Sequence, residues 1–129
     1  MNKFYNNIGT FEKAKYINIQ TYKKNGQSIS TPVWFIIKDN KIFFRTSHNC
    51  GKIKRIRNNN QVKFALCDIR GKIKGEWYEG IAKIENDSDN GILFQINKKY
   101  GLSSRLMKIF YKIKKIDIVI LSIEPKNLS

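Results

Sequence analysis

The chain has 129 residues, of which 41% are hydrophobic and 12% aromatic, so it can bury one core and is not an intrinsically disordered chain. We therefore expect a single domain over residues 1–129. The formal net charge of +15 would attract the phosphates of a nucleic acid, an anionic membrane or a nucleotide-like cofactor. The charge alone does not choose among these, and a solvated lysine-rich surface would carry it equally well.

Two cysteines and one histidine are too few for a recognisable set of metal ligands. Cys50 and Cys67 do not form a CxxC arrangement, and His48 is the only histidine. We expect reduced thiols and no metal site. No segment contains the apolar core of a signal peptide or the roughly 20 apolar residues of a membrane span, so we expect a cytoplasmic protein without a membrane partner.

Three strands are predicted in the first half of the chain, after a short helix from Ile8 to Lys15. Polar and apolar residues alternate from Tyr16 to Tyr22, a return strand covers Ser28 to Lys38, and a third strand covers Lys41 to Thr46. The turns between them contain Asn, Asp or Gly: Lys24-Asn25-Gly26 and Asp39-Asn40.

The centre of the second strand, Val33 to Ile37, is apolar at every position. Successive side chains of a strand point to opposite faces, so both faces of this segment must be covered. We expect a barrel interior on one face and either a helix or a second subunit on the other.

The second half of the chain predicts three further strands separated by helices. A basic helix ends at Arg57, and strands follow at Gln61 to Asp68, Glu76 to Glu85 and Ile116 to Ile123. Two helices precede the last strand, one starting near Ser88 or Asp89 and ending at Gly101, the other starting at Ser103 or Ser104. Six strands with short helices predict a mainly β fold built as a small barrel.

The stretch from Arg45 to Arg55 joins a strand end, a polar loop and the start of the basic helix. Hydroxyl groups, backbone amides at a helix N-terminus and lysines together can bind a phosphate dianion through charge-assisted hydrogen bonds. The candidate ligands are Thr46, Ser47, the amides around Gly51, Lys52 and Lys54. A solvated basic helix after an ordinary turn would give the same pattern.

Two further segments have residues suited to a flat ring. Ser30, Thr31 and Pro32 precede the apolar strand, so that backbone groups near Pro32 can bond the polar edge of a ring while Val33 and Trp34 cover its face. For Phe35, which follows them, we expect core packing.

Trp77 and Tyr78 are adjacent aromatic residues and must point to opposite faces of their strand. One of them can belong to the core while the other faces a ligand or a partner. We assign Trp77 to the ligand side, although an aromatic residue at a subunit interface would fit almost as well.

In their order and spacing these segments resemble the pyridoxamine 5′-phosphate oxidase-like family of split β-barrels, in particular the short deazaflavin-dependent reductases. The matching segments run from about Lys15 to Ile84: Thr31 to Phe35, Arg45-Thr46 with Gly51 to Arg57, Val62 to Asp68 with Arg70-Gly71, and Trp77 to Ala82. The resemblance implies a six-stranded split barrel of the FMN-binding type.

The resemblance also implies a homodimer with a cofactor site at each side of the subunit interface. It implies FMN or the deazaflavin coenzyme F-420 as the cofactor, with Thr46, Ser47, Lys52 and Lys54 at its phosphate. Ser30 to Trp34 would line the ring, Arg45 belongs to the same motif, and Trp77 would approach from the other subunit. No residue is an evident general acid or nucleophile, which suits an enzyme whose cofactor carries the hydride chemistry.

We expect no counterpart of the long C-terminal segment of the pyridoxal-phosphate-forming oxidases, and therefore do not expect pyridoxamine phosphate as the substrate. The extra cations between Lys52 and Arg57 mildly favour the deazaflavin, whose tail carries additional carboxylates. The leading expectation is therefore an oxidoreductase that acts on a small organic substrate. A basic nucleic-acid-binding barrel, less favoured, and a cofactor-binding protein without catalysis are the alternatives.

Overall fold

A computed structural model of the chain describes residues 3–47, 50–85, 91–114 and 118–126. The strands are β1 (Ile17–Tyr22), β2 (Ser28–Val33), β3 (Ile36–Lys38), β4 (Lys41–Ser47), β5 (Gln61–Leu66), β6 (Tyr78–Glu85) and β7 (Ile118–Pro125). The helices are α1 (Lys3–Asn6), α2 (Ile8–Lys13), α3 (Gly51–Asn58) and α4 (Ile92–Lys114). The strands form one sheet in the order β2-β1-β5-β6-β7-β4-β3, and every neighbouring pair is antiparallel.

The sheet curls because the chain passes directly from one of its edges to the other. Strands β2 and β3 are the two edge strands, and only Trp34 and Phe35 connect them. A connection from Val33 to Ile36 spans at most about 11 Å, whereas seven strands laid flat would span about 29 Å. The two edges must therefore approach each other, which curls the sheet into an open barrel.

Aromatic side chains fill the interior of this barrel. Phe4 of α1 and Phe11 of α2 pack edge-to-face against Phe64 and Tyr78, with ring centroids 5.5 to 6.0 Å apart. Phe35 is fully buried in the same cluster, as predicted. The first two helices thus contribute to the barrel core, and Phe4 does so from a helix that lies before the predicted one.

A second apolar cluster lies on the outer face of the sheet, beneath α4. It contains Ile36 and Phe43 from the sheet together with Ile92 and Ile96 of α4. The second face of the Val33 to Ile37 segment is therefore covered by a helix of the same chain. The apolar character of that segment consequently gives no support to a dimer.

Helix α4 bends at Gly101, whose φ of 56° and ψ of −124° lie outside the helical region. The prediction of two helical segments separated at Gly101 is confirmed, although Ser104 is buried within the second segment and bonds to Asn97. Ser88 and Asp89, proposed as caps, lie outside the described residues. None of the described helices is long and apolar enough to cross a bilayer.

The strand count is the main correction to the predicted fold. The segment predicted as one strand from Ser28 to Lys38 is divided into β2 and β3 at the point where the two edges of the sheet approach each other, so the sheet has seven strands instead of six. Both predicted hairpin turns are present, with Gly26, Asp39 and Asn40 at positive φ. The N-terminal helix is shorter than predicted and ends at Lys13.

Candidate functional site

A pocket of about 260 Å³ lies where the ends of β2 and β4 meet α3 and α4. We call it the strand-end pocket. Its lining residues are Tyr16, Pro32, Val33, Trp34, Arg45, Thr46, Lys52 and Met107. None of these eight residues is acidic and two are cationic, so the described lining favours an anionic group.

Arg45 fixes one wall of the strand-end pocket. It is only 8% exposed, and its guanidinium donates to Asn97 Oδ1 at 3.2 Å and to Ser104 Oγ at 3.4 Å. The guanidinium carbon also lies 5.5 Å from the centre of the Trp34 ring, within the range of a cation–π contact. Arg45 therefore joins β4 to both segments of α4 while it lines the pocket.

Trp34 forms a second wall and is held by Tyr100. Their rings stack with centroids 4.5 Å apart and an angle of 8° between the ring planes. The Tyr100 hydroxyl accepts a hydrogen bond from the Phe35 amide and donates towards the carbonyl oxygens of Phe35 and Lys15, each at 2.9 Å. Burial raises the pKa of Tyr100, so this hydroxyl stays protonated at neutral pH.

Lys99 reinforces the same junction. Its ammonium donates to the Phe35 carbonyl at 2.9 Å and lies 3.9 Å from the centre of the Phe35 ring. Burial lowers its pKa to about 8, although the charge of Glu12 acts in the opposite direction. The junction between β2 and β3 is thus held by α4 through both aromatic stacking and hydrogen bonds.

Lys52 and Thr46 meet at the entrance of α3, beside the Cys50 thiol. Lys52 is 8% exposed and Thr46 7% exposed. Burial alone would raise the pKa of the Cys50 thiol, but hydrogen bonds with Thr46 and Lys52 and the charge of Lys52 outweigh it, so that the pKa lies below that of an ordinary thiol. The environment at this corner therefore stabilises negative charge.

A second concave surface lies on the other side of α3. It has a volume of about 340 Å³, and we call it the basic groove. Its lining residues are Lys23, Lys24, Gly51, Lys54, Arg55 and Asn58. The described part of its lining thus contains four cations and no carboxylate.

The structure brings together half of the twelve predicted site residues. Those in the strand-end pocket are Pro32, Val33, Trp34, Arg45, Thr46 and Lys52. Gly51 and Lys54 line the basic groove instead. The side chains of Lys52 and Lys54 leave the helix in directions about 200° apart around its axis, so they face different cavities. The expectation that both lysines hold one phosphate is thus not met by the lining of either cavity.

The remaining four predicted residues lie outside both linings. Ser30 is an exposed residue of β2, and Ser47 ends β4. Thr31 Oγ1 is buried and has no hydrogen-bond partner among the described residues. Trp77 is 40% exposed and directly precedes β6, whereas Tyr78 is buried and its hydroxyl accepts a hydrogen bond from Asn7 at 3.0 Å. The two aromatics therefore divide between core and surface, and the assignment of Trp77 to a ligand stays a prediction.

Several residues that line or support the strand-end pocket were not predicted, among them Tyr16, Tyr100 and Met107. Tyr16 directly precedes β1 and lines the pocket. Met107 and Tyr100 come from α4, more than 60 residues further along the chain than Trp34. Only Tyr16 had a local signal, since it begins the alternation of the first strand.

No protein-family model matches the chain, and no curated protein matches it in sequence. Solved structures do match it. The heme storage protein HutZ from Vibrio cholerae superposes with a TM-score of 0.69 at 16% identity, over 98% of this chain and 92% of that one. A putative pyridoxamine 5′-phosphate oxidase from Listeria innocua gives a TM-score of 0.63 at 14% identity, over 97% and 94%. An F420 reductase superposes with a TM-score of 0.58 at 17% identity, over 89% of each chain.

These similarities confirm the predicted resemblance at the level of the fold. The chain is a split barrel like the pyridoxamine 5′-phosphate oxidase-like proteins, and its sheet has one strand more than predicted. All three sequence identities lie below 20%, so these similarities establish the fold only. The chemistry must be inferred from the residues of the site.

Proposed function

We propose that this split barrel is an oxidoreductase that binds FMN or the deazaflavin coenzyme F-420 in the strand-end pocket and acts on a small organic molecule. The observation that carries the proposal is the meeting of Thr46 and Lys52 with Trp34 in one pocket. The segments predicted to form a phosphate site and an aromatic wall therefore line the same pocket. The F420 reductase and a FAD-binding protein among the similar structures support a flavin-type ligand.

The described residues fit such a cofactor in charge, and the cavity would hold part of it. Lys52 and Arg45 would neutralise a phosphate or another anionic group, and Thr46 can donate a hydrogen bond to it. The cavity of about 260 Å³ is slightly below the usual size of a complete ligand site, which is roughly 300–1,000 Å³. A site of this size fits a half-site that a second subunit completes.

Each wall of the pocket has a separate task in this proposal. Lys52 and Thr46 bind the phosphate, and Pro32, Val33 and Trp34 lie along the ring system. When bound, the cofactor supplies hydride transfer, while the protein holds it and excludes water. The stack of Tyr100 on Trp34 covers part of the Trp34 ring, so Trp34 would meet the cofactor with the part of its surface that remains.

We further propose that the protein is a homodimer and that the second segment of α4 forms its interface. Leu102, Leu106, Ile109 and Ile113 follow one another at spacings of four, three and four residues and are 71%, 62%, 56% and 72% exposed. This spacing places them in one stripe along the helix, and an exposed apolar stripe commonly marks an interaction surface. Met107 of the same segment lines the strand-end pocket, so an interface on this stripe would lie beside the site.

Sedimentation of paired glutamine variants tests this interface. Leu106→Gln together with Ile109→Gln should convert the dimer to a monomer, because two large apolar side chains are removed from the centre of the stripe. Phe94→Gln is the control, since Phe94 is 71% exposed but precedes the bend at Gly101. A wild-type protein that sediments as a monomer would reject the dimer.

Two alternatives remain as proposals with their own tests. Cofactor storage without catalysis is supported by the fold likeness to HutZ, a heme storage protein, and would show binding without turnover. A nucleic-acid-binding barrel is favoured by the charge of +15, but the described lining of the basic groove has no aromatic residue on which bases could stack.

We also propose the cytoplasm as the location, since Cys50 and Cys67 are free thiols.

Titration of the purified protein with FMN, F-420 and heme tests the proposed function directly. We expect saturable binding of FMN or F-420 and oxidation of the reduced cofactor by quinones or enones. Binding without oxidation would support the storage alternative. Failure of FMN and F-420 to bind would reject the proposal, whether or not heme binds, and a single-stranded oligonucleotide retained on filters at low salt would favour the nucleic-acid alternative.

A further inference from the structure

The basic groove has cations on both of its sides. Lys23 and Lys24 lie at the end of the β1–β2 hairpin, and Lys54 and Arg55 lie on α3. The hairpin is held by the bond from the Lys23 amide to the Gln27 carbonyl at 2.8 Å, so its lysines extend from an ordered turn. A ligand in the groove would therefore be in contact with positive charge from two separate elements.

Arg55 is the ordered member of this cluster. Its Nε donates to Thr21 Oγ1 at 2.6 Å, and Thr21 is fully buried in β1. Its Nη1 lies against Gly51, where an added Cβ would be only 2.7 Å away. The guanidinium is thus positioned by a buried hydroxyl and by the absence of a side chain at residue 51, which lowers the entropic cost of binding an anion.

The charge and the lining residues of the groove indicate the kind of anion. A phosphoryl group carries about −1.5 to −2 charges at neutral pH, so four cations match about two such groups. The described lining contains no carboxylate to offset these cations and no aromatic ring to bind a base. These features fit a short chain of phosphoryl groups better than a nucleic acid.

We propose that the basic groove is a second anion-binding site, separate from the strand-end pocket, and that it takes a small ligand of the diphosphate class. Helix α3 divides the two sites, because Lys52 faces the pocket while Lys54 and Arg55 face the groove. The inference does not depend on the cofactor proposal.

Pyrophosphate is the probe, and amide chemical shifts report where it binds. The titration uses the full-length Lys52→Met protein, so that the phosphate contacts of the strand-end pocket are weakened. We expect saturable shifts at Lys24, Arg55 and their neighbours. Absence of saturable shifts in the groove would overturn the proposal.

Gly51→Ala is the decisive variant because it changes no charge. The new methyl group must displace the Arg55 guanidinium, while φ at residue 51 is not in the left-handed region and the helix tolerates alanine. We expect pyrophosphate affinity to fall at least about fivefold in this variant and in Arg55→Lys, which loses the planar fork of donors. Thermal unfolding monitored by circular dichroism checks that both variants are folded.

Lys83→Gln is the matched control for general electrostatics. Lys83 is an exposed residue of β6 outside both cavities, so its removal should change pyrophosphate affinity by less than about twofold. If Gly51→Ala binds pyrophosphate like the wild type, or if Lys83→Gln weakens binding as much as Arg55→Lys, the anion is held by diffuse charge and the proposal is wrong. An oligothymidylate that displaces pyrophosphate from the groove at equal phosphate concentration would also reject the diphosphate class.

Discussion

Replacement of Lys52 by methionine should selectively weaken the binding of the cofactor phosphate. Lys52 is 8% exposed and lies with Thr46 in the lining of the strand-end pocket. A hydrogen bond to a charged group contributes about 1.5–3 kcal/mol, which corresponds to roughly a 10- to 150-fold loss of affinity. Methionine keeps most of the buried aliphatic stem, so the loss should come mainly from the missing ammonium group.

The assay compares FMN with riboflavin, which has the same ring and no phosphate, by fluorescence titration. Lys52→Met should lower the affinity for FMN by the stated factor and change the affinity for riboflavin by less than about twofold. Lys54→Met should change neither affinity. Lys54 is the matched control because it is a lysine of the same helix that lines the basic groove. Equal losses for FMN and riboflavin, or equal losses in the two variants, would refute the assignment of the phosphate to Lys52.

Three further predictions concern the junction beside the pocket and the two thiols. Tyr100→Phe should lower the free energy of unfolding by about 1–3 kcal/mol in urea titrations, because the Phe35 amide loses its acceptor; a smaller loss would contradict this role. The pKa of Lys99 is about 8 in the folded protein against 10.5 for the free side chain, so the unfolded chain binds more protons between these values. The stability of the wild type relative to Lys99→Met should therefore rise with pH across that interval, and a flat difference would exclude the shift. Iodoacetamide at about pH 7.5 should alkylate Cys50 well before Cys67, whose pKa burial raises to about 11, and mass spectrometry showing equal labelling would contradict this.

The strands could be predicted because their signals are local. Alternation marks β1, and the turn residues Gly26, Asp39 and Asn40 adopt the positive φ for which Gly, Asn and Asp are selected. The break at Trp34 and Phe35 could not be predicted in this way. It arises where the two edges of the sheet approach each other, and an uninterrupted apolar run does not indicate such a long-range contact.

The parts of the site that lie within a single segment of the sequence could be predicted. The β2 and β4 ends were identified from their hydroxyl, proline and basic residues, and the structure brings them together at one pocket. The supports of Arg45 come from Asn97 and Ser104, which are 52 and 59 residues away in sequence, so no local pattern indicates them. The separation of Lys52 from Lys54, in contrast, follows from helix geometry and could have been derived once a helix was predicted.

The net charge of +15 has a different meaning once these positions are known. As a bulk quantity it fits a nucleic acid, a membrane or a nucleotide-like ligand equally well. On α3, however, Lys52 is buried and lines the strand-end pocket, whereas Lys54 and Arg55 line the basic groove and Arg55 is held there by Thr21. Cations that only keep a protein soluble have no reason to be buried or positioned, since each would lose hydration without a compensating contact. The charge of this helix is therefore better explained by two small anionic ligands than by one extended polyanion.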